Sequence, residues 1–142
     1  MSSKQSAIPL KEIATFINSN FNKEPKIYLL SGDLGSGKTT FVKHFLNYLD
    51  IPTMLASSPT YTLIQTYTHN SKTIHHVDLY RLKTPDQLEA LGIFELLDDQ
   101  TAIMFIEWPE LILPLKQNYT HLNFYHTKSS QQRLINIEEI SN

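Results

Sequence analysis

The stretch Lys26-Ile27-Tyr28-Leu29-Leu30-Ser31-Gly32-Asp33-Leu34-Gly35-Ser36-Gly37-Lys38-Thr39-Thr40 decides how this chain folds. Residues 32–39 match the phosphate-loop pattern G-x-x-x-x-G-K-[ST] in full. The short apolar run Lys26–Ser31 ahead of the loop suits a buried strand. Behind it, Phe41, Val42, Phe45, Leu46 and Leu49 recur on one helical face. Strand, glycine loop and helix start are the context the pattern requires. Glycines let backbone N–H groups converge on an anion, and the helix start adds unpaired donors and a positive dipole end. Asp33, Leu34, Gly35, Ser36, Gly37, Lys38, Thr39 and Thr40 are therefore the candidate nucleotide-binding residues. Lys38 is expected to reach the β- and γ-phosphates, and Thr39 to offer its hydroxyl to Mg²⁺.

Composition narrows the class. The chain has 142 residues, the size of one domain, and 41% hydrophobic content is enough for a core. The net charge is −2, and Arg81 and Arg133 are the only arginines, so the chain does not read as an avid nucleic-acid binder. With no cysteine, disulfides, thiolate metal sites and cysteine nucleophiles are excluded. The opening residues are too polar for a signal peptide, and no run approaches a membrane span. A soluble, cytoplasmic protein is expected.

Working outward, Leu10, Ile13, Ala14, Phe16, Ile17 and Phe21 form a helical stripe before the first expected strand. The termini, Met1–Ser6 and Glu139–Asn142, are expected to fray. Tyr61–Tyr67 and Thr73–Tyr80 read as an antiparallel hairpin around residues 68–72. Thr84-Pro85-Asp86-Gln87 carries capping signals for a short helix through Leu91, which Gly92 can end. Ala102–Ile106 is the most apolar run, suited to a central parallel strand. Tyr119–Tyr125 and Arg133–Glu138 read as a last pair of strands. These elements predict a three-layer α/β phosphate-loop NTPase domain with a mixed, mainly parallel central sheet.

A phosphate loop needs carboxylates to hold Mg²⁺ and to position a water. Asp78 stands near the end of one expected strand, and Glu107 directly follows the run Ile103–Ile106. Glu107 resembles a Walker-B acid, since ligands gather at the carboxyl ends of strands in open α/β sheets. The neighbours His75 and His76 point to opposite faces of a strand and so do not share one metal; a structural or hydrogen-bonding role is expected. Asp33 could orient a water or serve as a turn residue. Trp108 reads as a stacking group or a half-buried aromatic, and Arg81 as a phosphate contact or a surface ion pair.

Four motifs then occur in order. They are Gly32-Asp33-Leu34-Gly35-Ser36-Gly37-Lys38-Thr39-Thr40, Ser58-Pro59-Thr60-Tyr61-Thr62-Leu63, His76-Val77-Asp78-Leu79-Tyr80-Arg81-Leu82 and Glu107-Trp108-Pro109-Glu110. Together they resemble the bacterial TsaE (YjeE) family over residues 8–138. The resemblance implies an ATPase, using ATP and Mg²⁺, required for threonylcarbamoyladenosine modification of tRNA. It implies work in complex with threonylcarbamoyl-transferase subunits of the TsaD and TsaB type, with tRNA met only indirectly. By position it gives Thr60 a place in a nucleotide-sensing loop, Asp78 a catalytic or switch role, and Glu107 with Thr39 the metal. Ser36 departs from the small alanine common there, and a basic C-terminal tail seen in some members is missing. Two other readings of the phosphate loop stand beside this one: a nucleotide-gated assembly factor with little turnover, and a small-molecule kinase. The scarcity of arginine weighs against the kinase.

Overall fold

The computed structural model describes residues 2–9, 12, 15, 26–52, 63–126, 128 and 132–142. The expected N-terminal helical stripe and the Ser58–Thr62 motif, Thr60 included, lie outside the described residues, apart from isolated positions 12 and 15. The elements are β1 (Ser2–Pro9), β2 (Ile27–Ser31), α1 (Lys38–Tyr48), β3 (Ile64–His69), β4 (Lys72–Asp78), α2 (Pro85–Ala90) and α3 (Ile93–Asp98). After them come β5 (Ile103–Glu107), a 3₁₀ turn (Pro109–Ile112), β6 (Tyr119–Tyr125) and β7 (Gln132–Ile140).

One sheet carries the seven strands in the order β1-β7-β6-β2-β5-β4-β3. Its centre is parallel: β2 pairs with both β5 and β6, and β5 with β4. The flanking pairs β1–β7, β6–β7 and β3–β4 are antiparallel. β1 therefore runs the same way as the four central strands, and the sheet is mixed with one direction dominant.

The apolar residues of β2 explain the layers. Tyr28 and Leu30 point to α1, where Phe41, Val42, Phe45 and Leu46 cover them; Ile27 and Leu29 point to the other face. That second face is covered by Leu88 of α2, Ile93 and Leu97 of α3, and Ile112. A strand apolar on both sides belongs inside a three-layer sandwich. β5 obeys the same rule: Phe105 faces α1, and Met104 and Ile106 face α2 and α3.

Two expectations are revised. Residues 2–6 do not fray; they belong to β1, which pairs along β7 from Ser2↔Glu139 to Pro9↔Gln132. The hairpin turn is tighter than residues 68–72, because pairing continues to His69↔Lys72 and only Asn70 and Ser71 turn. Both have positive φ, 50° and 65°, the two-residue turn that matches strand twist. Gly92 ends α2 as expected, and a further helix, α3, follows it at once. Its φ of 71° ends α2 and starts α3, whose Ile93 and Leu97, one turn apart, are buried. The capping signals hold: Gln87 Oε1 accepts the Thr84 N–H at 3.2 Å, with Pro85 at the first helical position.

Candidate functional site

The loop between β2 and α1 keeps its shape through Gly32. A Cβ there would lie 2.6 Å from the Phe124 carbonyl oxygen of β6 and 2.6 Å from Ser36 Oγ, at a φ of 150° that side chains avoid. Close backbone approach, as much as the turn, explains this glycine. The Ser36 N–H donates to the Asp33 carbonyl at 3.1 Å, and Gly37, φ 109°, leads into α1. A cleft of about 200 Å³ opens above the loop. Of the eight candidate nucleotide-binding residues, Leu34, Gly35, Gly37, Lys38, Thr39 and Thr40 line it. Asp33 and Ser36 do not: Asp33 turns outward, and the Ser36 side chain is buried beneath the loop with no partner for its hydroxyl among the described residues.

Opposite the loop stand the carboxyl ends of β4 and β5. Register pairs Asp78 with Glu107, so both expected acids arrive side by side and line the cleft with Tyr80 and Trp108. They share the face of Ile74 and Phe105, toward α1. Glu107 is buried, 3% exposed, and accepts the Thr39 hydroxyl at 3.2 and 3.3 Å on its two oxygens. His76 Nε2 lies 2.5 Å from Glu107 Oε2. His75 points the other way, with Nδ1 2.9 Å from Thr66 Oγ1. The two histidines diverge as their strand positions require. Asp78 Oδ1 accepts the Tyr80 N–H at 2.9 Å, which turns the chain out of β4.

Lys38 crosses the cleft floor. Its Nζ donates to the Gly32 and Asp33 carbonyls, the latter at 3.1 Å, and sits 4.3 Å from the centre of the Trp108 ring. Burial pushes its pKa below the ordinary value, against the upward pull of Glu107, Asp78, Asp33 and Glu110. Trp108 is held by its backbone. Its N–H donates to the Leu30 carbonyl at 3.1 Å, while the Glu107 carbonyl accepts from Leu79 at 3.1 Å. It adopts φ 58°, a conformation a bulky residue rarely takes, and Pro109 opens the 3₁₀ turn behind it. The indole is thus fixed beneath the ammonium and 4.9 Å from the Tyr80 ring.

Arg81, which the sequence left between a phosphate contact and a surface pair, is exposed and does not line the cleft. Lys38 is the one cationic side chain among the lining residues described. Reading the sequence did not single out Tyr80, although its place two residues beyond Asp78 at a strand end was a usable signal. Loop N–H groups, one ammonium, a hydroxyl and two acids thus meet at the carboxyl ends of β4 and β5, a donor set whose chemistry suits a polyphosphate and a hard cation.

The model of the family described as "Threonylcarbamoyl adenosine biosynthesis protein TsaE" matches residues 4–135. Two relatives bear the name tRNA threonylcarbamoyladenosine biosynthesis protein TsaE at broad coverage. The Borreliella burgdorferi protein is 37% identical over 107 residues, 74% of this chain and 77% of its own. The Haemophilus influenzae protein is 35% identical over 118 residues, 81% of this chain and 73% of its own. The Rickettsia conorii protein of that name is 43% identical over 90 residues, which span only half of its length. The crystal structure of Bacillus subtilis YdiB superposes with a TM-score of 0.70 at 25% identity, covering 99% of this chain and 89% of that one. With a loop, two strand-end acids and a sheet order that fit one another, and a family match along nearly all its length, the chain belongs to the TsaE family.

Proposed function

We propose that the chain is an ATPase of tRNA threonylcarbamoyladenosine formation. It binds ATP with Mg²⁺ and hydrolyses it in complex with threonylcarbamoyl-transferase subunits of the TsaD and TsaB type, in the cytoplasm, meeting tRNA only through them. One observation carries this reading: Lys38, Thr39, Asp78 and Glu107 converge on one cleft from three separate elements. The relatives' names, which speak of threonylcarbamoyladenosine biosynthesis, support the pathway.

Mg²⁺ keeps most of its waters and takes one or two carboxylates besides phosphate oxygens. The Thr39 hydroxyl and the Glu107 carboxylate, already 3.2 Å apart, supply such a donor set. When bound, the ion offsets charge on the phosphoryl oxygens. Lys38 turns its ammonium from loop carbonyls to phosphate oxygens, and loop N–H groups hold the rest of the anion. Asp78 stands beside Glu107 at the cleft edge, where a carboxylate orients a water for attack.

Phosphoryl transfer gains about a thousandfold or more from an arginine contact. The described cleft lining holds no arginine, which favours slow turnover alone and stimulation by a partner. The same observation keeps alive the nucleotide-gated assembly factor as a second reading, in which bound ATP shapes a surface and turnover resets it. Leu34 and Tyr80, 65% and 54% exposed at the cleft rim, provide apolar area for such a contact. Reconstituted tRNA modification with TsaD- and TsaB-type subunits tests the proposal. Glu107→Gln should lose both ATP hydrolysis and modification, and undiminished modification would refute it.

A further inference from the structure

His76 is fully buried in β4, two residues before Asp78 and on the same face. Parallel pairing of His76 with Phe105 and of Asp78 with Glu107 lays its ring beside the Glu107 carboxylate. The contact from Nε2 to Oε2 is 2.5 Å, whereas Thr39 approaches Glu107 at 3.2 and 3.3 Å. His76 is thus the closest partner in this group. The other ring nitrogen, Nδ1, is buried and has no hydrogen-bond partner among the described residues. A proton on Nε2 gives the carboxylate a donor and leaves only a bare lone pair at Nδ1. The opposite tautomer would strand a buried N–H and set Nε2 against Oε2, lone pair to lone pair.

A glutamate at a strand end would otherwise lose considerable rotamer freedom when a ligand fixes it. Here a donor anchored in the sheet already occupies Oε2, turning the remaining acceptor capacity toward Thr39 and the cleft. We propose that His76 is a positioning residue that donates through Nε2 to Glu107 and thereby sets the Mg²⁺ affinity of the nucleotide complex. This rests on the reading of Glu107 as the Mg²⁺-side carboxylate. Outer partners of ligating groups typically change metal affinity by about 10–100-fold when removed.

The test compares wild type, His76→Leu, His76→Gln and Glu107→Gln. Two quantities are measured by calorimetry: Mg²⁺ affinity of the ATP complex, and ATP affinity in EDTA. His76→Leu should weaken Mg²⁺ by about 10–100-fold while ATP binding in EDTA is unchanged. His76→Gln, which keeps an N–H at a similar reach, should recover most of the loss. Unchanged Mg²⁺ affinity in His76→Leu, or an equal loss in both His76 variants, would overturn the assignment. If Glu107→Gln also binds Mg²⁺ normally, the reading of Glu107 itself fails. If only Glu107→Gln is impaired, the role of His76 alone fails. Should His76→Leu not fold, ¹⁵N correlation spectra of the wild-type histidines decide. The expected result is a proton on His76 Nε2 whose signal moves in Glu107→Gln, and a proton on Nδ1 with none on Nε2 would overturn the proposal.

Discussion

Replacing Lys38 with alanine removes the one cation among the described residues lining the cleft. In the free protein its ammonium bonds two loop carbonyls and lies 4.3 Å from the Trp108 ring. Hydrogen bonds from charged groups are worth about 1.5–3 kcal/mol each, and a cation–π contact about 0.5–1. Burying the ammonium costs several kcal/mol in return, and its lowered pKa has that sign. The folded protein should therefore lose only about 1 kcal/mol. Binding should suffer more. Exchanging two neutral carbonyl acceptors for charged phosphate oxygens gains about 1.5 kcal/mol per contact, or about 3 kcal/mol in total. That corresponds to roughly 150-fold in Kd. Titration calorimetry with Mg·ATP reads the loss, and circular dichroism with a thermal melt checks the fold. Lys38→Met, which keeps an apolar stem over Trp108, should show the same binding loss with a smaller melting shift. A folded Lys38→Ala protein with wild-type ATP affinity would show that Lys38 does not hold the phosphates.

Glu107→Gln should weaken Mg²⁺-dependent ATP binding and turnover together, whereas Asp78→Asn should spare binding and lower turnover by about a hundredfold; Mg²⁺ titrations with wild-type curves in both variants would remove both roles. Gly32→Ala forces a methyl to 2.6 Å from the Phe124 carbonyl oxygen, so thermal unfolding should show a loss of about 1–3 kcal/mol or more, and an unchanged melting temperature would mean the loop relaxes freely. Burial lowers the pKa of both His75 and His121 below 6.5, the second against the pull of Glu138 and Glu110. Below pH 6.5 the unfolded chain then binds more protons than the folded one, so stability present above that pH is lost as pH falls toward the folded values. Denaturant midpoints measured between pH 7.5 and 5 should show this decline, reduced in His121→Gln.

Local signals carried much of the architecture. The run Ile27–Leu30, the glycine loop and the spacing of Phe41, Val42, Phe45 and Leu46 are contiguous, so β2, the loop and α1 were legible. The placement of Glu107 was legible too, because an apolar strand ending in a single acid is a local pattern. β1 was not. Ser2–Pro9 offers no alternation of apolar residues, and what holds it is a ladder to β7 more than a hundred residues away. Gly92 was legible as the end of α2, but α3 was not, because the same left-handed residue that stops one helix also starts the next. Side-chain contacts across strands were least legible. The 2.5 Å approach of His76 to Glu107 follows from parallel register, and the Lys38–Trp108 contact from the backbone of a residue held at φ 58°. Neither leaves a trace in sequence spacing.

Partner-governed ATP turnover is read from steady-state hydrolysis by the purified chain. The rate is measured alone and with TsaD- and TsaB-type subunits, using Lys38→Ala as the blank. The lone rate is expected to lie far below the typical enzyme value of about 10 s⁻¹. A rise of at least about tenfold is expected when the subunits bind, as a supplied cation would give. A lone rate near 10 s⁻¹, or a rate that the subunits leave unchanged, would contradict partner-governed turnover.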